Sequence, residues 1–149
     1  MAVADAASYA IHVLFAAAWT GSVLFMTYAV LPTARTGDIG VDPLANITSR
    51  LSVLSRTSAL LLLLTGGHLA ATRYGGGALT GTTRGYLVIA MLVLWFLLIG
   101  LVEVGTSRIG DGIDERKVRT PAENARPLFL AASVVALLLL VDAGIILGL

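Results

Sequence analysis

The sequence predicts an all-α integral membrane protein, a bundle of four transmembrane helices with almost no soluble part. Of its 149 residues, 57% are hydrophobic and only 13% are charged, and the mean hydropathy is +0.90. Soluble domains carry about 25% charged residues, so this composition belongs in a bilayer. Four apolar runs are each long enough to cross about 30 Å of hydrocarbon. They cover residues 9–31, 51–72, 86–106 and 128–149, within a single transmembrane domain over 1–149.

Helix-breaking residues mark the ends of these predicted spans. Proline lacks the backbone N–H of the helical ladder, so Pro32 is predicted to end the first helix and Pro127 to open the fourth. Arg73 and the glycine run at 75–77 are predicted to end the second helix. The leader MAVADAAS has no Lys or Arg, so the first run is expected to be a true span and not a signal peptide.

Basic residues are distributed unevenly among the predicted loops. The second loop has only Arg73 and Arg84, while Arg56 lies inside a span. The first and third loops together hold seven: Arg35, Arg50, Arg108, Arg116, Lys117, Arg119 and Arg126. Cytoplasmic loops are the ones enriched in Lys and Arg, so an N-out/C-out topology is expected.

Composition also excludes several classes of function. The chain has no cysteine, so it holds no disulfide, thiol nucleophile, iron–sulfur cluster or covalently attached haem. Four spans leave no room for a nucleotide-binding module, which excludes an ATP-driven pump. The net charge of +1 gives no reason to expect nucleic acid as a partner.

The two histidines, His12 and His68, both fall inside predicted spans, where ionisable residues are costly and usually functional. Counting from the predicted helix ends at 1.5 Å per residue puts both roughly 6 Å below the outer boundary. The same counting brings Met91 and Asp142 into this layer, so that each helix contributes one residue. Glu103 is expected to pair with Arg56 near the opposite surface.

Two imidazoles on neighbouring helices suit a b-type haem or a metal ion, because neutral imidazole ligates both. In the haem interpretation His12 and His68 are axial ligands. The other expected cofactor-binding residues are two glycines that would let a flat macrocycle approach, an aromatic ring to pack on it and two cations for its propionates: Gly66, Gly67, Trp19, Arg73 and Arg84.

Two alternatives stay open at this point. Copper transport would use His12, His68 and the soft thioether of Met91 as metal ligands, with Asp142 at the outer mouth. A bundle without cofactor would use the histidines for hydrogen bonds across helices and the glycine pair for close packing, and would act through partner helices.

Three stretches of the sequence resemble a known family. IHVLFAAAWTGSVLF, which contains His12, Trp19 and Gly21, resembles the first-helix signature of the copper-resistance protein D superfamily, which includes the HemJ-type protoporphyrinogen oxidases. SRLSVLSRTSALLLLLTGGHLA is similar to the family's second helix, and TTRGYLVIAMLVLWFLL to its small outer loop and third helix. The resemblance extends from His12 to about Arg108.

This resemblance implies a four-helix membrane unit linked either to copper movement or to haem-linked redox chemistry. His12 carries over onto the family's first-helix histidine, whereas the family often has a lysine where this chain has Met91, which weakens transfer of the HemJ-type reaction. We therefore expect a multi-pass protein of the cell membrane that binds haem b or a metal. Its partners would be the lipid bilayer and an electron-transfer or metal-delivery protein, while a homo-oligomer and a role as a haem-linked oxidoreductase stay open.

Overall fold

Four long helices contain nearly all of the residues that the structure, a computed structural model, describes, namely 3–75 and 77–149. They are α1 (Val3–Thr36), α2 (Val41–Arg73), α3 (Thr83–Asp114) and α4 (Arg119–Gly148). A single helical turn, Ala78–Gly81, lies in the loop between α2 and α3. Residues 1 and 2 of the predicted leader and residue 76 of the predicted glycine run lie outside the described residues.

All four helices are long and apolar enough to cross a membrane, which confirms the predicted all-α fold with four candidate transmembrane helices and indicates a multi-pass membrane protein. Large apolar side chains are exposed along every helix, among them Phe25, Leu64, Phe96 and Leu138. In water such a surface would drive aggregation, whereas in lipid it needs no cover.

The helices run consecutively antiparallel, each packing on the next, and α4 returns against α1 to close the bundle. One end of the bundle holds the α1–α2 and α3–α4 loops and is called the basic end here, because most of the arginines lie there. The other end, called the terminal end, holds Val3, Leu149 and the α2–α3 loop. The distribution of Lys and Arg between the two ends is the basis for expecting one of them to face the cytoplasm.

The helices are longer than predicted, at 30 to 34 residues each, or roughly 45–51 Å. At the basic end only residues 37–40 and 115–118 lie between helices, so the loops over 32–50 and 107–127 that the predicted spans imply are too long. The polar extensions stay helical because they bury a core of their own, in which Leu44, Ile109 and Ala122 are fully buried. A second core cluster around Trp19 and Leu98 occupies the middle of the bundle.

Pro32 does not end the first helix and Pro127 does not open the fourth, contrary to the prediction. α1 continues past Pro32 to Thr36, because the turn before it, Met26–Val30, widens into a π-helix and thereby accommodates the proline ring. Pro127 lies inside α4, exposed on its surface, and costs the helix one backbone hydrogen bond, to the carbonyl of the equally exposed Glu123. The predicted start of the fourth helix at residue 128 is therefore too late.

Candidate cofactor site

His12 is fixed by a hydrogen bond across the α1–α2 contact. Its Nδ1 lies 2.8 Å from Oγ1 of Thr65, and that hydroxyl lies 2.6 Å from the backbone carbonyl oxygen of Leu61. A threonine hydroxyl has one proton, which goes to the carbonyl, so it accepts from the Nδ1–H of His12. The neutral imidazole therefore keeps its proton on Nδ1 and a free lone pair on Nε2. This is the tautomer in which histidine ligates a metal through Nε2 while a second residue orients the ring.

Gly66 lies directly under the imidazole of His12. A Cβ atom at Gly66 would come within 3.0 Å of Cε1 and 3.6 Å of Nδ1 of His12, whereas a Cβ atom at Gly67 would meet nothing within 4 Å. The absence of a side chain at Gly66 thus lets the ring lie against α2. Gly67 is the position that leaves open space, and the predicted role of the two glycines beside a macrocycle stays a prediction.

His68 is engaged with a different partner, Asp5 in the first turn of α1. Its Nε2 lies 3.1 Å from Oδ1 of Asp5, and since a carboxylate only accepts, Nε2 carries the proton of this bond. The side chain of His68 is 41% exposed and that of Asp5 is 23% exposed. The two imidazoles therefore hold separate hydrogen bonds, and both bonds join α1 to α2.

The two histidines also lie at different levels of the bundle. His12 faces Thr65, so His68 lies three residues, or about 4.5 Å, further toward the terminal end. The prediction gave both histidines the same depth because residues were counted from the predicted ends of the two helices. The actual register is set by side chains, namely the contact of His12 with Gly66 and the pairing of His68 with Asp5.

Met91 of α3 and Asp142 of α4 lie at about the same level of the bundle. The register of this pair of helices is given by Gly112, whose missing side chain makes room for Pro121, and carried along the antiparallel helices it brings residue 91 level with residue 142. Asp142 is 7% exposed and its Oδ2 has no hydrogen-bond partner in the described part of the chain. Met91 is partly buried.

The register between α2 and α3 allows the level of Met91 to be compared with that of His12. Arg56 bonds Glu103, and the indole Nε1 of Trp95 donates to the carbonyl of Ala59 at 3.2 Å. Extending this register places residue 65, the partner of His12, close to the level of residue 91. Three of the four residues of the predicted layer thus share a level, and His68 lies one turn beyond it.

The remaining predicted site residues divide between the core and the terminal end. Trp19 is 1% exposed in the central core, and its Nε1 has no partner among the described residues. Arg73, in the last turn of α2, and Arg84, in the first turn of α3, are both exposed. They lie at the same end of the bundle as His68. Trp19 therefore fills the bundle, while the two arginines are available to anions at its surface.

No group of three or more His, Cys, Asp or Glu side chains suited to a metal ion occurs within residues 3–75 and 77–149. A site that holds a metal ion, such as zinc, through three or more of these side chains is therefore not assembled within the described residues.

Two residues of this region were missed from the sequence as partners of the histidines. Thr65 lies three residues before His68 on the same face of α2, but a threonine in an apolar run is as common in packing as in hydrogen bonding. Asp5 lies before the first predicted span, so it was not expected to meet a residue inside the second span. Its spacing of seven residues from His12, two helical turns, was the available signal.

Comparisons with protein-family models, with curated proteins and with solved structures found no match to this chain. Function is therefore inferred from the residues and contacts of this molecule. The resemblance of its helices to the copper-resistance protein D superfamily remains an expectation from sequence.

Proposed function

We propose that this chain is a multi-pass protein of the cell membrane that binds haem b through His12 and takes part in electron transfer or haem-linked redox chemistry. The observation that carries the proposal is the hydrogen bond from Nδ1 of His12 to Thr65, 2.8 Å long, which leaves Nε2 with a free lone pair. A ligand imidazole held in this way is pre-oriented, and its ring is supported by Gly66.

Haem is favoured over a bare metal ion by the number of ligands required. The porphyrin supplies four nitrogen ligands to the iron, so the protein has to add only one or two axial ligands. His12 alone can supply one axial ligand. Haem binding therefore does not require a cluster of three ligating side chains, and none is present in the described residues. His68 is a second axial ligand only if its bond to Asp5 opens, so the proposal rests on His12. When bound, haem supplies one-electron chemistry at its iron.

The cations at the terminal end support the same proposal. Arg73 and Arg84 are exposed there, on the two helices that flank the α2–α3 loop. Haem propionates are carboxylates, and guanidinium groups bind carboxylates through charge-assisted hydrogen bonds. Electron transfer implies a partner protein that delivers or removes the electron.

The orientation is part of the proposal. The seven basic residues of the first and third predicted loops lie at the basic end, against two at the terminal end. Because Lys and Arg are retained on the cytoplasmic side, we propose an N-out/C-out topology, with His12 in the outer half of the membrane.

The visible absorption spectrum of the purified protein, before and after addition of haem, tests this function. We expect a Soret band that His12→Ala abolishes or shifts and that His68→Ala changes little. The matched control is Trp95→Phe. It removes the ring nitrogen that donates to the carbonyl of Ala59 and leaves the contacts of His12 unchanged. A bound haem whose spectrum is the same in His12→Ala as in the unchanged protein would refute the assignment.

Copper transport is the second candidate, favoured by one specific observation. Met91 and the buried Asp142 lie at about the level of His12, and thioether and imidazole are ligands that Cu(I) accepts. Its partner would be a metal-delivery protein. Copper found by elemental analysis, without a Soret band and lost in Met91→Leu, would favour this candidate. Absence of both haem and copper would leave a cofactor-free bundle that acts through partner helices.

A further inference from the structure

A lateral groove runs between α1 and α2 on the side of the bundle, toward the basic end and away from His12. Its volume is about 400 Å³, and its lining is mostly apolar. On α1 the end of the groove nearer His12 is lined by small residues, Ala17, Ala18, Gly21 and Ser22, and the end nearer the α1–α2 loop by Phe25, Met26 and Val30. A Cβ atom at Gly21 would meet nothing within 4 Å, so the space above this glycine is open.

The groove exists because α1 and α2 touch above and below it. Toward the terminal end they meet at His12 and Gly66, and toward the basic end Leu31 and Leu44 belong to one buried cluster. Between these contacts the small side chains of α1 do not reach α2. In a membrane such a gap cannot stay empty, because lipid chains or another helix fill it.

Among the described residues that line the groove, Arg50 alone is charged. Its side chain is exposed, and no acidic group lies within ion-pairing distance of it in the part of the chain that the structure describes. Arg56, six residues further along α2, is by contrast paired with Glu103. The groove therefore carries an apolar wall and, near one end, an unneutralised guanidinium.

The dimensions match one lipid chain in one leaflet. The α1–α2 register places Arg50 near the level of residue 27 of α1, about ten residues from Ala17. Ten residues of helix span roughly 15 Å, which is half of the ~30 Å hydrocarbon core of a bilayer. A hydrocarbon chain lying along the groove would thus bring its headgroup close to Arg50.

We propose that this groove is a binding site for an anionic phospholipid, with one hydrocarbon chain against the small residues of α1 and the lipid phosphate on Arg50. A guanidinium binds phosphate through parallel charge-assisted hydrogen bonds. A second copy of this chain fits less well, because the groove offers a cation and the described lining holds no carboxylate to meet the same cation of a symmetric partner. The site is separate from His12, so it stands or falls independently of the proposed cofactor.

Native mass spectrometry of the full chain, released from detergent micelles that contain phosphatidylglycerol or phosphatidylcholine, tests the proposal. We expect the first phosphatidylglycerol to bind about fivefold more tightly than phosphatidylcholine, the increment of one basic residue near an anionic headgroup. Arg50→Gln should remove this preference. Gly21→Leu should weaken the binding of both lipids, because leucine fills the groove without meeting protein atoms near its Cβ.

Two control variants separate this site from general attraction to the bundle. Arg126→Gln removes an exposed arginine at the same end and should leave the preference intact. Gly100→Leu adds the same side chain at an exposed position of α3, where a Cβ atom also meets nothing within 4 Å, and should leave lipid binding intact. Equal effects of Arg50→Gln and Arg126→Gln, or unchanged lipid binding in Gly21→Leu, would overturn the proposal. Conversion of a dimer to a monomer by Gly21→Leu, without loss of lipid, would make a second copy the occupant and overturn it as well.

Discussion

Arg56 of α2 and Glu103 of α3 form a bidentate ion pair between neighbouring helices. Nε lies 2.9 Å from Oε1, and Nη2 lies 2.8 Å from Oε2. This geometry confirms the pair that was predicted from two charges at similar depth on neighbouring helices. The Arg56 side chain is 67% exposed and that of Glu103 is 34% exposed, so the pair lies on the outside of the bundle, where lipid surrounds it. Each charge there depends on the other for its neutralisation.

We expect Arg56→Met or Glu103→Gln alone to lower the melting temperature in lipid nanodiscs more than the double variant does, because a single variant leaves one charge without a partner. A double-mutant cycle measures this coupling. The control is the more polar pair of Arg35 and Glu123, which lies at the basic end beyond the apolar runs and should show little coupling. Additive losses at Arg56 and Glu103 would contradict the expectation.

Much of the fold was predictable because the thickness of the bilayer sets the length of each apolar run. Apolar runs of about 20 residues identify the spans whatever the packing, and two isolated charges within such runs have few partners to choose from. The pair Arg56 and Glu103 was found for this reason. The ends of the helices were not, because the polar extensions are held by packing at Leu44 and Ile109 that hydropathy does not register.

The candidate site was predictable only in part. His12, Met91 and Asp142 could be placed at one level by counting residues along helices of known rise. The rotation of each helix was not available from counting, and rotation decides that His12 meets Thr65 while His68 meets Asp5. In the sequence, a threonine within an apolar run looks the same whether its hydroxyl bonds a residue of another helix or its side chain only packs.

Gly105 is expected to tolerate no side chain, because a Cβ atom there would come within 2.8 Å of Cε2 of Phe129, which is fully buried. Gly105→Ala should destabilise the contact of α3 with α4 by about 1–3 kcal/mol, the usual cost of overpacking. Gly110→Ala is the matched control on the same helix, since its added Cβ meets nothing within 4 Å. Denaturation in mixed micelles measures both, and equal stabilities would contradict the packing described.

Gly66 and Gly67 give a second matched pair, in contact with the candidate site. Alanine is the better helix former by about 0.5–1 kcal/mol, and at Gly67 nothing opposes that gain. At Gly66 the new Cβ lies 3.0 Å from Cε1 of His12, so the imidazole has to move. We expect Gly67→Ala to raise the melting temperature slightly and Gly66→Ala not to do so. A stabilised Gly66→Ala variant would show that the ring of His12 yields freely.

The topology predicts that the two kinds of loop are reached from opposite sides of the membrane. The chain has no cysteine, so Asp38→Cys in the α1–α2 loop and Thr80→Cys in the α2–α3 loop each provide one label site without background. An impermeant maleimide added to intact cells should label Thr80→Cys, and Asp38→Cys only after the membrane is opened. Labelling of both variants in intact cells would refute four spans, and the reverse pattern would invert the orientation.

Thr65 should act as a positioning residue for His12, because its hydroxyl accepts the Nδ1–H of the ring while donating to the carbonyl of Leu61. Thr65→Val keeps the shape of the side chain and removes the acceptor, so the proton of His12 is no longer held on Nδ1. Residues that orient a ligating histidine typically contribute 10–100-fold to metal affinity, and we expect haem titration to show a loss of about this size.

Thr65→Ser is the variant that separates orientation from packing. It restores the hydroxyl but lacks the methyl group, so it should recover most of the affinity that Thr65→Val loses, together with the position of the Soret band. A loss of affinity in Thr65→Ser equal to that in Thr65→Val would make the methyl group the important part, and the hydrogen bond to His12 would then have no role in binding. Unchanged haem binding in Thr65→Val would show that the tautomer of His12 is not set by this residue, and the proposed ligand would lose the contact on which its assignment rests.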